Sequence, residues 1–250
     1  MAAWSLTAAE AAWSGDSSVL DENLTTVLRG LPAPPGAPAG MWLPLLSASR
    51  PVLPLERLCF RGSRPSSAAA LELCQELGLT LVSCHQAGGV RTALQIERIS
   101  ALPEGGLAVD VVATSVLRLG ETGTVLRRRA SGEVQMVNVV SVVPVEEFPA
   151  ARGGDLREAR RTELRRKVTA LLSQVRPASA LSDPWPRKTD DFSWWAAARL
   201  PLPAGARAPL LEVAGSEERL SLCAAVLSRF VSAPGALPGV PGVGRLRAKL

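Results

Sequence analysis

The sequence has 250 residues, of which 47% are hydrophobic and 20% are charged. This balance is normal for globular proteins and excludes intrinsic disorder for the middle of the chain. The net charge of +5 would suit an anionic partner, but lysine occurs only at Lys167, Lys188 and Lys249, and the arginines are scattered. We attribute the arginine bias to codon composition, so it disfavours nucleic-acid binding.

The cysteines and the single histidine are too few and too scattered for a zinc site. Cys59, Cys74, Cys84 and Cys223 show no C-x-x-C spacing, and His85 is the only histidine. Structural zinc needs about four such ligands at workable spacing. We therefore expect no metal, and we expect the cysteines to be small core residues in a reducing, intracellular compartment.

Residues 1–40 are predicted to be an N-terminal extension. Apolar residues at helical spacing lead up to Gly30, a typical helix C-cap, and the Pro-rich segment 31–40 predicts a semi-rigid linker. No apolar run approaches the roughly 20 residues that a membrane-spanning helix needs. Early acidic residues such as Glu10 and Asp16 disfavour a signal or transit peptide.

Residues 41–149 are predicted to be rich in β-strands. Short apolar runs at 42–46 and 55–60 predict two strands, and segment 66–78 predicts a helix that ends at Gly78. A buried strand should follow at 79–84.

Two hairpins complete this region. Strands at 90–102 and 107–119 are joined by a turn that contains Gly105 and Gly106. A second hairpin pairs strand 124–129 with strand 133–143. Hairpin connections predict antiparallel pairing.

Residues 150–232 are predicted to be helical. Segment 156–175 carries a stripe of apolar residues among arginines, and segment 191–200 continues the helical pattern. Pro209 is predicted to open a short helix, and Ser216 to cap a last one. The Pro- and Gly-rich residues 233–250 predict a flexible tail.

No pattern of catalytic residues emerges. The phosphate loop G-x-x-x-x-G-K-[ST] and the nucleophile elbow G-x-S-x-G are both missing from the sequence. A serine–lysine dyad would need a desolvated lysine, whereas Lys167 and Lys188 lie in arginine-rich contexts. We therefore expect a protein that is not an enzyme and holds no cofactor; a degenerate protease fragment is the weakest of the alternatives.

The pair Trp194-Trp195 has two interpretations. Tryptophan is enriched at interface hot spots, so the pair could anchor a partner protein. Helical spacing can bury only one of the two completely, and a core position remains the favoured interpretation for the pair.

The order of these elements resembles the LON substrate-binding domain, which forms the N-terminal part of Lon proteases and the middle of cereblon. The resemblance rests on Leu43-Pro44-Leu45, on Leu53-Pro54, on Thr92-Ala93-Leu94-Gln95-Ile96 and on the helical segments 190–203 and 208–220. It covers roughly residues 41–232. It implies an α+β, PUA-like fold: an antiparallel, β-rich pseudo-barrel subdomain followed by a small α-helical bundle.

The resemblance also implies binding of polypeptides. In Lon proteases this domain helps to select unfolded or tagged substrates, so a free-standing copy is expected to be an adaptor or recognition module in protein quality control or degradation. Its partners would be polypeptide substrates or a protease or adaptor subunit. We expect a groove between the two subdomains to bind them, with Phe60, Trp194 and Trp195 as anchors. The alternative function is binding to nucleic acid or an anionic surface through the arginines of segment 156–175.

The sequence ends in Ala248-Lys249-Leu250, a close variant of the Ser-Lys-Leu peroxisomal address. Some Lon proteases are themselves peroxisomal. We therefore expect recognition by a peroxisomal import receptor and a peroxisomal location, with the cytoplasm as the alternative.

Overall fold

The computed structural model describes residues 28–62, 65–84, 89–102, 107–128, 132–145, 155–175, 185–200, 202–213 and 215–232. This part of the chain contains six strands and five helices, and it divides into two compact units between Val145 and Glu146. The expectations for the helix before Leu28, for His85, for turn 103–106 and for tail 233–250 lie outside the described residues.

The first unit is built on one six-stranded sheet. Its elements are β1 (Met41–Ser47), β2 (Arg57–Gly62), α1 (Pro65–Leu77), β3 (Leu81–Cys84), β4 (Val90–Ala101), β5 (Leu107–Arg128) and β6 (Val134–Pro144). The strand order is β2-β5-β4-β3-β1-β6, and β5 also pairs with β6. Five strands therefore form a closed ring, and β2 lies beside β5. The predicted α+β class and pseudo-barrel are confirmed.

One strand pair departs from the antiparallel expectation. Strands β1 and β3 run parallel, with Leu45 opposite Val82. Parallel neighbours need a long crossover connection, and here the segment that contains β2 and α1 provides it. The sheet is therefore mixed, because this pair is not joined by a hairpin.

Both faces of the sheet are apolar. Successive residues of a strand point to opposite faces, so Trp42 lies on the face that carries α1 and Leu43 on the other face. The face opposite α1 is filled by one or two buried residues from each of the five ring strands. These are Leu43, Val82, Ala93, Leu117, Val140 and Val142.

Strand β5 is one continuous element of 22 residues, whereas the sequence predicted two separate strands, 107–119 and 124–129. The two halves are joined through a β-bulge between Leu119 and Thr122. A Cβ at Gly120 would lie 2.5 Å from Ser141 Oγ, so a larger residue here would displace the Ser141 side chain. The bulge keeps β5 paired with β6 where the sequence pattern is interrupted.

Part of the predicted linker packs against the first unit. Leu31 forms an antiparallel bridge with Trp42, and the Trp42 indole Nε1 donates a hydrogen bond to the Pro38 carbonyl at 3.3 Å. Ala33 and Ala37 also pack against the cluster around Trp42. Segment 31–40 therefore contributes to this core.

The loop before β2 is fixed by buried polar contacts. The Thr92 hydroxyl donates to the Val52 carbonyl at 2.6 Å, and the Glu56 carboxylate accepts from the Leu53 amide at 2.9 Å. Leu55 has a φ of +66° in the tight turn between them. Left-handed backbone costs a branched residue roughly 1 kcal/mol, so these contacts hold the turn in a strained conformation.

The second unit contains four helices: α2 (Asp155–Val175), α3 (Thr189–Ala198), α4 (Ala204–Glu212) and α5 (Ser216–Ser232). Pro209 lies inside α4 and does not open it; Pro203 occupies the N-cap position. Ser216 is the first residue of α5, and the Gly215 carbonyl accepts the Arg219 amide at 3.0 Å. None of the described helices is long and apolar enough to cross a membrane.

The burial of two thiols leads to a labelling prediction. Desolvation raises the pKa of Cys74 and of Cys223 to about 12, whereas Cys59 is only half-buried. At about pH 8, near the usual thiol pKa, we expect iodoacetamide to modify Cys59 in the folded protein and Cys74 and Cys223 only after unfolding. Peptide-resolved mass spectrometry measures each rate, and equal rates for all three thiols in the folded protein would contradict the expected burial.

The same two thiols predict a loss of stability in alkali. In the unfolded chain a thiol loses its proton above about pH 8.5, whereas burial keeps Cys74 and Cys223 protonated up to about pH 12. The unfolded state then binds fewer protons, so the free energy of unfolding should fall as the pH rises through this range. Substitution of both thiols by alanine should flatten this decline in urea titrations.

Candidate polypeptide-binding surface

Phe60, the first residue expected to anchor a partner, lies in the core of the first unit. Its side chain is fully buried, and its backbone is paired with Val109 across β2 and β5. Leu71 and Cys74 of α1 belong to the same cluster. The ring therefore stabilises the packing of α1 on the sheet and offers no accessible face.

Trp194 and Trp195 are buried in the second unit, with exposed fractions of 6% and 2%. The Trp195 ring lies 5.7 Å from Phe192 and 5.2 Å from Trp185, measured between ring centroids. The Arg199 guanidinium lies over the Trp195 ring, 4.1 Å from its centroid. This stack of rings and cations favours the core interpretation of the tryptophan pair.

A buried arginine explains why Trp194 also faces inward. The Arg219 guanidinium lies 3.3 Å from the centroid of the Trp194 ring and donates to Ser193 Oγ at 2.6 Å and to the Val213 carbonyl at 3.1 Å. Arg219 thereby joins α5 to α3 and to the end of α4. Its contacts are those of a residue that fixes the helical packing.

The arginines of α2, on which the nucleic-acid alternative depends, are partly engaged within the chain. Arg160 forms a salt bridge with Glu217 at 3.0 Å. Arg165 donates to the Arg187 carbonyl at 2.6 Å and lies over the Phe192 ring. A surface that attracts phosphates needs cations free to replace counterions, so these contacts weaken the alternative.

The exposed apolar surface lies instead on the first unit, where the last part of β5 pairs with the first part of β6. We call residues 122–128 and 134–140 the arm. Leu126, Val134 and Met136 are exposed by 71%, 52% and 66%. Leu126 is opposite Met136, and Val134 follows on the same face, so the three side chains form a continuous row that we call the outer strip.

The opposite face of the arm is packed against α1. Val125 and Val137 contact the alanines and Leu73 of the helix. Arg127, on this same face, donates to Glu72 at 2.7 Å, to Glu76 and to the side-chain Oε1 of Gln135. Hydrogen bonding to Glu72 is the main cause that raises the pKa of Arg127 above its usual value.

The outer strip can bind apolar side chains but has no catalytic groups of its own. Single exposed apolar residues are normal, whereas a contiguous apolar patch marks an interaction surface. In the part of the chain that the structure describes, no group of three or more His, Cys, Asp or Glu side chains could hold a metal ion. The outer strip itself is made of apolar side chains only.

Sequence reasoning selected aromatic residues and missed the outer strip. The available signal was the second hairpin. Its strand 133–143 carries apolar residues on both faces: Val134 and Met136 on one face, and Val137 and Val139 on the other. A strand that is apolar on both faces is either buried on both or exposed on one. The sequence alone could not decide which part of this strand is covered.

A closed mixed sheet with α1 packed on one face, followed by a unit of four helices, is the fold of the Lon N-terminal domain. A Lon N-terminal domain protein from Xanthomonas campestris is 21% identical; the match covers 74% of this chain and 98% of that chain, with a TM-score of 0.51. The N-terminal domain of a Mycobacterium avium complex Lon protease is 18% identical, with coverages of 75% and 98% and a TM-score of 0.56. No protein-family model and no curated protein matches the sequence. The predicted resemblance is confirmed at the level of the fold.

The contacts of Arg127 predict how the arm is held. Replacing Arg127 by methionine removes this hydrogen-bond donor from Glu72, which is 31% exposed and can be solvated, so we expect a loss of roughly 1 kcal/mol in the free energy of unfolding. Amide hydrogen exchange in residues 122–140 should accelerate. Arg128→Met is the matched control, because Arg128 is exposed on the other face of the same strand and should change neither quantity. Equal effects of the two substitutions would show that Arg127 does not hold the arm.

Proposed function

We propose that this protein is a non-catalytic module that binds polypeptides and acts as an adaptor or recognition unit in protein quality control or degradation. The observation that carries the proposal is the outer strip of Leu126, Val134 and Met136 on a Lon N-terminal fold. The fold alone would allow many functions, since function depends on the site. The strip adds a specific surface suited to apolar segments.

The expected strength of binding follows from the size of the strip. Full burial of three such side chains contributes roughly 5 kcal/mol, before the costs of ordering the partner are subtracted. Contacts of this size correspond to a dissociation constant of about 0.2 mM or weaker. Weak binding of this kind suits a module that samples many clients and releases them.

The strip also distinguishes folded from unfolded clients. Folded proteins bury most of their large apolar side chains, whereas unfolded chains expose them in extended segments. An apolar row on a β-ribbon can therefore contact the exposed apolar segments of many different unfolded clients. Selection of unfolded polypeptides supports the proposed role in quality control.

We further propose that the protein acts in peroxisomes, with the cytoplasm as the alternative. The support is the tripeptide Ala248-Lys249-Leu250, which resembles a peroxisomal address. Such an address is read only at a free carboxyl terminus, so the proposal applies to a chain in which Leu250 is the last residue.

The main test compares binding of an unfolded client to the protein and to its Leu126→Thr/Met136→Thr variant. We expect the variant to bind fluorescent, carboxymethylated α-lactalbumin about tenfold more weakly, because roughly 1.4 kcal/mol of apolar contact is lost. Fluorescence anisotropy measures the dissociation constants. Threonine favours strands, and both positions are exposed, so the free energy of unfolding should change by less than about 0.5 kcal/mol.

Val143→Thr is the matched control, because Val143 is 65% exposed on β6 but lies outside the outer strip. It should bind the client as the unaltered protein does. Failure of the unaltered protein to bind the client, or an equal loss in all variants, would overturn the proposed function.

The proposed location is tested by fusing a fluorescent protein to the N-terminus. The fusion that ends at Leu250 should colocalise with a peroxisomal marker, and deletion of Ala248-Lys249-Leu250 should leave it in the cytosol. A cytosolic distribution of both fusions would refute the peroxisomal proposal and leave polypeptide binding unaffected.

A further inference from the structure

We infer that the arm takes up an extended segment of its client as an additional strand along the edge of β5, and that it prefers segments with an acidic residue two positions from an apolar one. The inference rests on the proposed function and specifies the substrate class of the same surface. It depends on an open strand edge and on an exposed cation at the end of the outer strip.

The first observation is the open edge. Strand β4 pairs with β5 only as far as Arg118, and the last contact is the hydrogen bond from the Leu119 amide to the Gly89 carbonyl at 3.1 Å. From Gly120 to Arg128, β5 pairs with β6 on one side and with no other strand of the described residues. The backbone groups on the other side are therefore available to a further strand.

The second observation is the unequal environment of two adjacent arginines. Arg127 is held by Glu72 and Glu76 beneath the arm. Arg128 points to the opposite face, where it is exposed, and makes no ion pair with any of the described residues. The outer strip therefore ends in an uncompensated positive charge.

The spacing of the preferred segment follows from the alternation of a strand. Thr124, Leu126 and Arg128 share the outer face of β5, so a strand added at this edge places alternate side chains beside them. When a client residue that is apolar lies beside Leu126, the client residue two positions further along the added strand lies beside Arg128. An acidic side chain fits there, and a basic one is repelled.

An exposed arginine at a strand edge also discourages unselective pairing with other chains. This effect agrees with selection by charge, since only strands with a complementary end overcome it. The edge is thereby open to clients and protected against self-association.

The test uses fluorescent peptides of alternating valine and threonine, one with a glutamate pair at one end and one with a lysine pair. We expect the glutamate peptide to bind about threefold to fivefold more tightly in low salt, as expected for cross-strand charge pairs, and the difference to shrink at high salt. Arg128→Glu should reverse the preference. A proline at the centre of the glutamate peptide should abolish binding, because proline cannot donate to a strand ladder.

Arg118→Glu is the matched control, because Arg118 is also an exposed arginine of β5 but lies outside the arm. It should leave the preference unchanged. If both peptides bind equally well, if Arg118→Glu acts like Arg128→Glu, or if the proline peptide still binds, this inference is wrong. Even when this inference is wrong, loss of peptide binding in Leu126→Thr/Met136→Thr would support the proposed function. If neither the peptides nor the unfolded client bind, the inference and the proposed function are both wrong.

Discussion

The extra residue of β5 between Leu119 and Thr122 decides which side chains of the arm reach the solvent. From Leu119 to Thr122 the strand advances three positions while its partner β6 advances two, from Val142 to Val140. Such a bulge reverses the alternation of every residue that follows. Without it, Leu126 would point towards α1 and Arg127 towards the solvent. The Ser141 hydroxyl stabilises the bulge by accepting the Glu121 amide at 2.8 Å.

The elements of the fold were largely predictable, because each depends on a local pattern. Helix α1, strand β4 and helix α2 lie within a few residues of their predicted bounds, since apolar periodicity and turn residues mark them. The sequence did not predict the parallel pairing of β1 with β3 or the continuity of β5. Both depend on contacts between residues far apart in the sequence, which no local pattern records.

The candidate site was less predictable than the fold, because exposure is a property of the whole structure. Phe60, Trp194 and Trp195 have the residue types of interface anchors, yet burial makes them part of the cores of their units. Leucine and methionine are ordinary residues in strands, so the residue types of Leu126 and Met136 do not mark them as a site. Their exposure follows from the position of one bulge and from the length by which β5 and β6 extend beyond the ring.

The two faces of the arm contribute differently to the stability of the fold. On the inner face, which is the face packed against α1, Val125, Val137 and Arg127 hold the ribbon in place. The ribbon therefore stays folded although its outer face is exposed. A two-stranded ribbon alone is only marginally stable in water, and a packed helix supplies what it lacks. The apolar outer strip can therefore be exposed at little cost to the fold. Under the proposed function, a surface supported from behind in this way would be ordered before a client arrives, so that binding would lose less conformational entropy.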